Sequence, residues 1–136
     1  MTHPSQSEPL IVVAAVALVR GDEVLTVRKE GTSRFMLVGG KLEPGETALD
    51  AALRETREEV GIDLHSVRPL GEFWSEAANE PGHRLHSTVF LARTEAEPVA
   101  TGEIAEVRWS SMVDLDDDLA PMLEHHVIPA LLALRD

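Results

Sequence analysis

The sequence predicts an α/β fold, with helices packed on the two faces of a mixed β-sheet. Three observations predict it. Stretches with strand character lie on both sides of a helical stretch at 47–60. The first of them, 10–19, is continuously apolar and rich in Val and Ala, as expected of a strand covered on both faces. A second helical stretch at 119–134 closes the chain, so each face of a sheet has a helix to cover it. With 136 residues, 43% of them hydrophobic, the chain is long enough for one domain with a sizeable core. That domain is expected over 10–136, preceded by a loose polar tail at 1–9 that contains two prolines.

The elements follow in order. After 10–19, Gly21-Asp22 predicts a turn into a second strand at 24–28. Residues 29–34 read as a polar loop around Gly31, and 35–38 as a short strand feeding Gly39-Gly40. Pro44-Gly45 ends the following loop, Thr47 with Asp50 gives a capping-box-like start, and Gly61 supplies a left-handed stop, so a helix is expected over 47–60. A strand follows at 67–74, with Pro69 near its start favouring an edge position. Residues 85–93 alternate, with Leu85, Ser87, Val89 and Leu91 on one side and His86, Thr88, Phe90 and Ala92 on the other. A last strand is expected around 106–109. The acidic run 114–118 reads as a solvated loop ending in a helix cap, and the closing helix carries Pro121 in its first turn and a kink at Pro129.

The chemistry concentrates on the first helix. At about 100° per residue, Leu49, Ala52, Leu53, Thr56 and Val60 fall on one stripe, expected to pack. Glu55, Glu58 and Glu59 fall on the neighbouring arc with Ala48 and Ala51, too small to crowd them. Like charges at this spacing repel, and one guanidinium at Arg54 cannot neutralise three glutamates. Oxygen donors so arranged suit a divalent cation, above all Mg²⁺, which takes carboxylates and keeps waters for a phosphate substrate. The plainer alternative is a solvated face in an acidic protein.

The flanking residues decide between the two. From Gly40 through Glu46, Arg54, Glu55, Glu58, Glu59 and Gly61 to Ile62, the chain follows the pattern G-x5-E-x7-R-E-U-x-E-E-x-G-U. This stretch resembles the box of the Nudix hydrolases, with Thr56 standing where the family has a bulky aliphatic residue. The resemblance implies a Nudix-type α/β/α sandwich with a mixed sheet. It implies Glu58 and Glu59 as principal metal ligands, joined by Glu55 and the carbonyl of Gly39, with Mg²⁺ as cofactor and Mn²⁺ as its substitute. It also implies an ion pair between Arg54 and Glu46 that orients the helix. Glu103, six residues before Trp109, stands where MutT-like members carry an extra catalytic glutamate, so Glu55 and Glu103 compete for the role of general base. Lys41, Lys29 and Arg28 are the candidates for phosphate contact, and Phe35 and Trp74 for stacking on a base. Leu123 falls about where MutT-type enzymes place a base-reading asparagine, which implies broad use of bases.

The expected activity is cleavage of the diphosphate linkage of a nucleoside triphosphate to monophosphate and pyrophosphate, 8-oxo-dGTP included. Another nucleoside diphosphate derivative, such as ADP-ribose or a nucleotide sugar, is the alternative substrate, and a non-catalytic nucleotide-binding module is the alternative class. A net charge of -12 opposes binding of a nucleic-acid polymer, so the expected partner is a small nucleotide. The run 10–19 follows Glu8 and no Lys or Arg, and is too short to span a bilayer. Without cysteine there is neither a disulfide framework nor a thiolate metal site. A cytoplasmic monomer or homodimer is expected.

Overall fold

The structure is a computed structural model that describes residues 9–78 and 80–134. Of the expected tail, only Pro9 falls within them; its carbonyl accepts a hydrogen bond from the Arg84 N–H at 2.8 Å. The elements are β1 (Leu10–Arg20), β2 (Glu23–Lys29), β3 (Met36–Lys41), α1 (Ala48–Val60), β4 (Arg68–Glu76), β5 (Arg84–Ala92), β6 (Ile104–Ser111) and α2 (Ile128–Leu134). A π-helical turn, Leu123–Val127, runs directly into α2. No described helix is long and apolar enough to cross a membrane.

One mixed sheet holds all six strands in the order β4-β5-β1-β3-β2-β6. β1 lies parallel to β5 from Leu10↔Arg84 to Leu18↔Ala92, and every other pairing is antiparallel. β1 and β2 form the hairpin expected at Gly21-Asp22, but they stay paired only at Val19↔Val24 and Arg20↔Glu23. Beyond that the two strands part and β3 enters between them, against Val13–Val16 on one side and Thr26 and Val27 on the other. The glycine pair is thereby carried to the middle of the sheet.

The apolar run of β1 is explained by cover on both faces. Ala14, Val16 and Leu18 pack with Ala51, Ala52 and Val60 of α1, whereas Ala15, Ala17 and Val19 pack with Leu123, Val127, Ile128 and Leu131 of the terminal helix. This is the α/β/α sandwich. Pro69 lies on the edge strand β4, where its missing N–H leaves no gap in the ladder, beside a register shift between Pro69 and Gly71.

The structure corrects several expectations. α1 begins with Thr47 as its N-cap, accepting from the Asp50 N–H at 3.1 Å, and ends at Gly61 with φ of 71°. Its buried face, however, is rotated toward the carboxylates: Ala51, Ala52, Thr56, Glu59 and Val60 are buried and Leu49 is 40% exposed. The alanines do not keep the acidic arc open; they let the helix backbone approach the sheet and set Glu59 into it. Asp118 caps no helix, because its carboxylate takes Arg108 at 2.7 and 3.1 Å. Leu119 precedes the helix and forms a bridge with Phe35. At Pro129, which has no N–H to donate, the turn ahead widens, with the Ile128 N–H bonding back five residues to the Leu123 carbonyl. β6 is longer than expected, because it pairs along the whole of β2.

Candidate active site

Arg54 is the hub of the site. Its Nε and Nη2 grip Glu46 Oε2 and Oε1 at 2.6 and 2.9 Å, and Nη2 also donates to the Lys41 carbonyl at 3.1 Å. One residue thus ties the first turns of α1 to the loop that follows β3. The guanidinium beside Glu46 holds that carboxyl down at about 2, with the backbone N–H of Glu43 adding to the effect. The same pairing pushes Arg54 above its ordinary value. Its remaining nitrogen, Nη1, holds Glu58 Oε1 at 3.1 Å and Glu55 Oε2 at 3.3 Å.

Two glutamates meet the glycine loop. Glu59 Oε1 accepts the Gly39 N–H at 3.1 Å. Burial pushes this carboxyl up to about 8; the Gly39 N–H and Lys29 oppose the rise and Glu55 reinforces it. Glu55 lies so close to Gly40 that a Cβ there would strike its carboxylate, and a Cβ on Gly39 would strike the Ala14 carbonyl and come within 2.7 Å of the Ala15 Cα. Neither glycine has the positive φ seen at Gly61; both are needed for close approach.

Glu103 reaches the site because its loop caps α1. The last four carbonyls of a helix lack partners within it, and here each finds one. Gly61 N–H bonds Arg57, the Thr101 hydroxyl bonds Glu58, and the N–H groups of Thr101 and Val99 bond Glu59 and Val60 at 3.0 Å. The Glu103 carbonyl in turn accepts the Glu30 N–H at 2.8 Å, tying the loop to the end of β2.

These parts enclose a cavity of about 460 Å³ on the α2 side of the sheet. Gly39, Gly40, Lys41, Lys29, Glu55 and Glu103 line it, and so do the apolar side chains of Ile11, Val13, Met36, Leu85, Met122, Leu123 and Val127. Of the residues singled out in the sequence, Lys29, Lys41, Glu55, Glu103 and Gly39 meet here, with Glu59 behind Gly39 and the pair Arg54–Glu46 bracing the helix. Glu58 lies outside the cavity lining, half-exposed and paired with Arg54.

Three expected contacts are not brought to the cavity. Arg28 donates to the Thr32 carbonyl at 2.8 Å and pairs with Glu106 at 3.4 Å, because β2 and β6 set the two opposite each other. Phe35 is buried in the core under the Arg108 guanidinium, 3.6 Å from its ring centroid. Trp74 is half-exposed and stacks on His86 with centroids 4.5 Å apart. That pair points to the sheet face opposite the cavity, since His86 alternates with Leu85 and Ser87. What the sequence reading missed is the apolar wall. The alternation of β5 could have placed Leu85 and Ser87 on it; Met36, Met122 and Val127 depend on how the terminal helix docks.

The donor set suits a hard divalent cation. All its side chains are carboxylates, and one of them, Glu59, is buried where only a positive charge or a proton relieves it. Among the described residues no three ligating side chains converge on one point; Arg54 Nη1 holds Glu55 and Glu58 in their place.

The mixed sheet between two helices and the glutamate-bearing helix packed against a glycine loop define a Nudix-type hydrolase fold. A NUDIX domain profile matches residues 9–131, and the chain belongs to that family. The NAD-capped RNA hydrolase NudC of Pseudomonas putida (strain F1) is 30% identical over 113 residues, 81% of this chain and 40% of that protein. The 8-oxo-dGDP phosphatase NUDT18 of Mus musculus is 32% identical over 125 residues, 86% of this chain and 36% of that protein. The chain therefore spans less than half the length of these relatives. Among solved structures, a MutT NUDIX hydrolase from Burkholderia pseudomallei has 26% identity and a TM-score of 0.75, covering 93% of this chain and 99% of that one.

Proposed function

We propose that the protein is a divalent-metal-dependent pyrophosphohydrolase that cleaves nucleoside triphosphates to monophosphate and pyrophosphate. The observation that carries this is the mixed lining of the cavity: the lysines, Glu55, Glu103 and glycine backbone beside the apolar side chains of β1, β5 and the terminal helix, with Glu76 and Glu80 at its β4 edge. Such a lining suits a ligand that joins a polyanionic part to a flat, weakly polar one. The substrates named for the two relatives both contain a nucleoside joined to a diphosphate, which supports the linkage without selecting the base. The RNA in the name of NudC belongs to a longer protein, and the charge of -12 favours a small nucleotide here.

Glu59, Glu55, Glu58 and the Gly39 carbonyl would hold Mg²⁺ or Mn²⁺, Glu58 exchanging its contact with Arg54 for the cation, and Glu103 would add a ligand or act as base. The metal supplies charge neutralisation on the phosphate oxygens and a lowered pKa for the attacking water. Lys29 and Lys41 face the phosphate chain. Glu55 or Glu103 takes the proton of the water as its oxygen bonds to phosphorus. The bridging P–O bond breaks and pyrophosphate leaves. Arg54 and Glu46 do not touch the substrate; they fix the helix that presents the carboxylates.

A panel of nucleoside triphosphates, ADP-ribose and nucleotide sugars incubated with Mg²⁺, with products separated by chromatography, tests the reading. Monophosphate and pyrophosphate are expected from the triphosphates. Orthophosphate as first product, or turnover of ADP-ribose alone, overturns it.

A further inference from the structure

Five polar or charged residues are buried among the described residues: Thr26, Thr56, Glu59, Ser87 and Ser110. Four have side-chain partners. The Thr26 hydroxyl bonds the Arg108 carbonyl at 2.9 Å and the Ser110 hydroxyl at 2.8 Å, the Thr56 hydroxyl donates to the Ala52 carbonyl at 2.8 Å, and Glu59 accepts the Gly39 N–H. Ser87 is 2% exposed, and its hydroxyl has no hydrogen-bond partner among the described residues. Among the described residues no side-chain oxygen sealed from solvent lacks a partner, so the Ser87 hydroxyl opens onto the cavity, where water or a ligand satisfies it.

The position of Ser87 explains the exception. It lies on the wall of the cavity, where the residues contributed by β1 and β5 are Ile11, Val13, Ala15, Leu85 and Ser87. Ser87 is the one polar side chain of that group. In the sheet it is paired with Val13, which is paired on its other side with Lys41 at the end of the glycine strand. Two strand spacings, about 10 Å, therefore separate it from the phosphate-facing backbone, a distance of the order of a nucleoside's reach. Leu123, across the cavity, offers no hydrogen bond.

We infer that Ser87 is the residue that hydrogen-bonds the nucleobase, an inference that rests on the nucleotide reading above. A hydroxyl rotates to donate or to accept. It therefore serves a carbonyl edge and an amino edge alike and strengthens binding of every base without choosing one. No amide or carboxylate from β1 or β5 stands beside it; Glu76 and Glu80 line the cavity from β4 and the loop that follows.

The test compares the wild-type protein with Ser87→Ala in Mg²⁺ on the four common nucleoside triphosphates and on a base-free ribose triphosphate. For the variant, kcat/KM falls about five- to tenfold on each nucleoside triphosphate, with the loss in KM, and is unchanged on the base-free substrate. Its melting temperature stays level. Equal rates for both proteins on all substrates overturn the inference alone, as does an equal loss on the base-free triphosphate, which would assign the hydroxyl to the phosphate chain, the ribose or the fold. A wild-type protein that turns over no nucleotide overturns the functional reading, and this inference with it.

Discussion

Glu103 and Glu106 stand three residues apart and are hard to separate by counting from Trp109. The structure separates them: Glu103 lines the cavity with Glu55, whereas Glu106 is exposed and paired with Arg28. Changing Glu55 or Glu103 to Gln should lower kcat by at least about a hundredfold, the usual scale for a proton-transferring group. Glu106→Gln should remain within about twofold of wild type, as expected of an exposed pair. Steady-state rates at saturating Mg²⁺ decide, and equal losses in all three would remove Glu103 from the site. The two glycines make a second contrast. A Cβ at Gly39 meets β1 backbone, which cannot yield, so Gly39→Ala should cost about 1–3 kcal/mol in urea unfolding. At Gly40 the obstacle is the end of the Glu55 side chain, which can swing away. Gly40→Ala should therefore melt near the wild-type temperature and lose activity. Loss of stability in Gly40→Ala, with activity kept, would contradict the close approach of Glu55.

Helix α1 is fixed at both ends by groups outside it. At its start, Arg54 binds Glu46 and depresses that carboxyl from 4.5 to about 2. A carboxyl with a lowered folded pKa binds protons more weakly folded than unfolded. Its contribution to stability is therefore present above about 4.5 and lost as the pH falls toward 2. Melting curves from pH 6 to pH 2 should show wild type above Glu46→Gln at the neutral end and the two converging through this window. A gap independent of pH would mean that the carboxylate charge is not what Arg54 holds. At the far end, Thr101 gives its hydroxyl to Glu58 and its N–H to Glu59. Thr101→Val keeps the shape and removes the hydroxyl, costing about 1 kcal/mol, and by loosening the loop it should lower kcat. A variant with wild-type stability and rate would show that the backbone contacts suffice to place Glu103.

On the scale of the whole molecule, an acidic chain concentrates carboxylates around one cavity and buries one of them. A cation that binds only the folded form adds RT ln(1+[L]/Kd), about 1–3 kcal/mol at useful excess. The melting temperature should accordingly rise with Mg²⁺ or Mn²⁺ and return on adding EDTA. Indifference to both would leave the glutamates as a charged helix face and remove the metal from the mechanism.

The sequence carries the order of the elements, both caps of α1, the edge position of β4 and the family. Each follows from local causes: Thr47 and Gly61 act within one turn, Pro69 acts through its own missing N–H, and the motif is a spacing along a single segment. It also pointed to Arg54 as the partner of Glu46. Long-range packing selects which face of α1 is buried, because a helical wheel ranks Leu49 above Ala48 and Ala51 by hydrophobicity, whereas a close helix–sheet approach favours the alanines. It likewise sent Phe35 into the core, turned Trp74 to the opposite face and paired Arg28 with Glu106, since strand register and sheet side come from partners distant in the chain. The apolar wall and the unpartnered hydroxyl of Ser87 arise where β5, β1 and the terminal helix converge. No local pattern contains that meeting, because a cavity is a relation between elements.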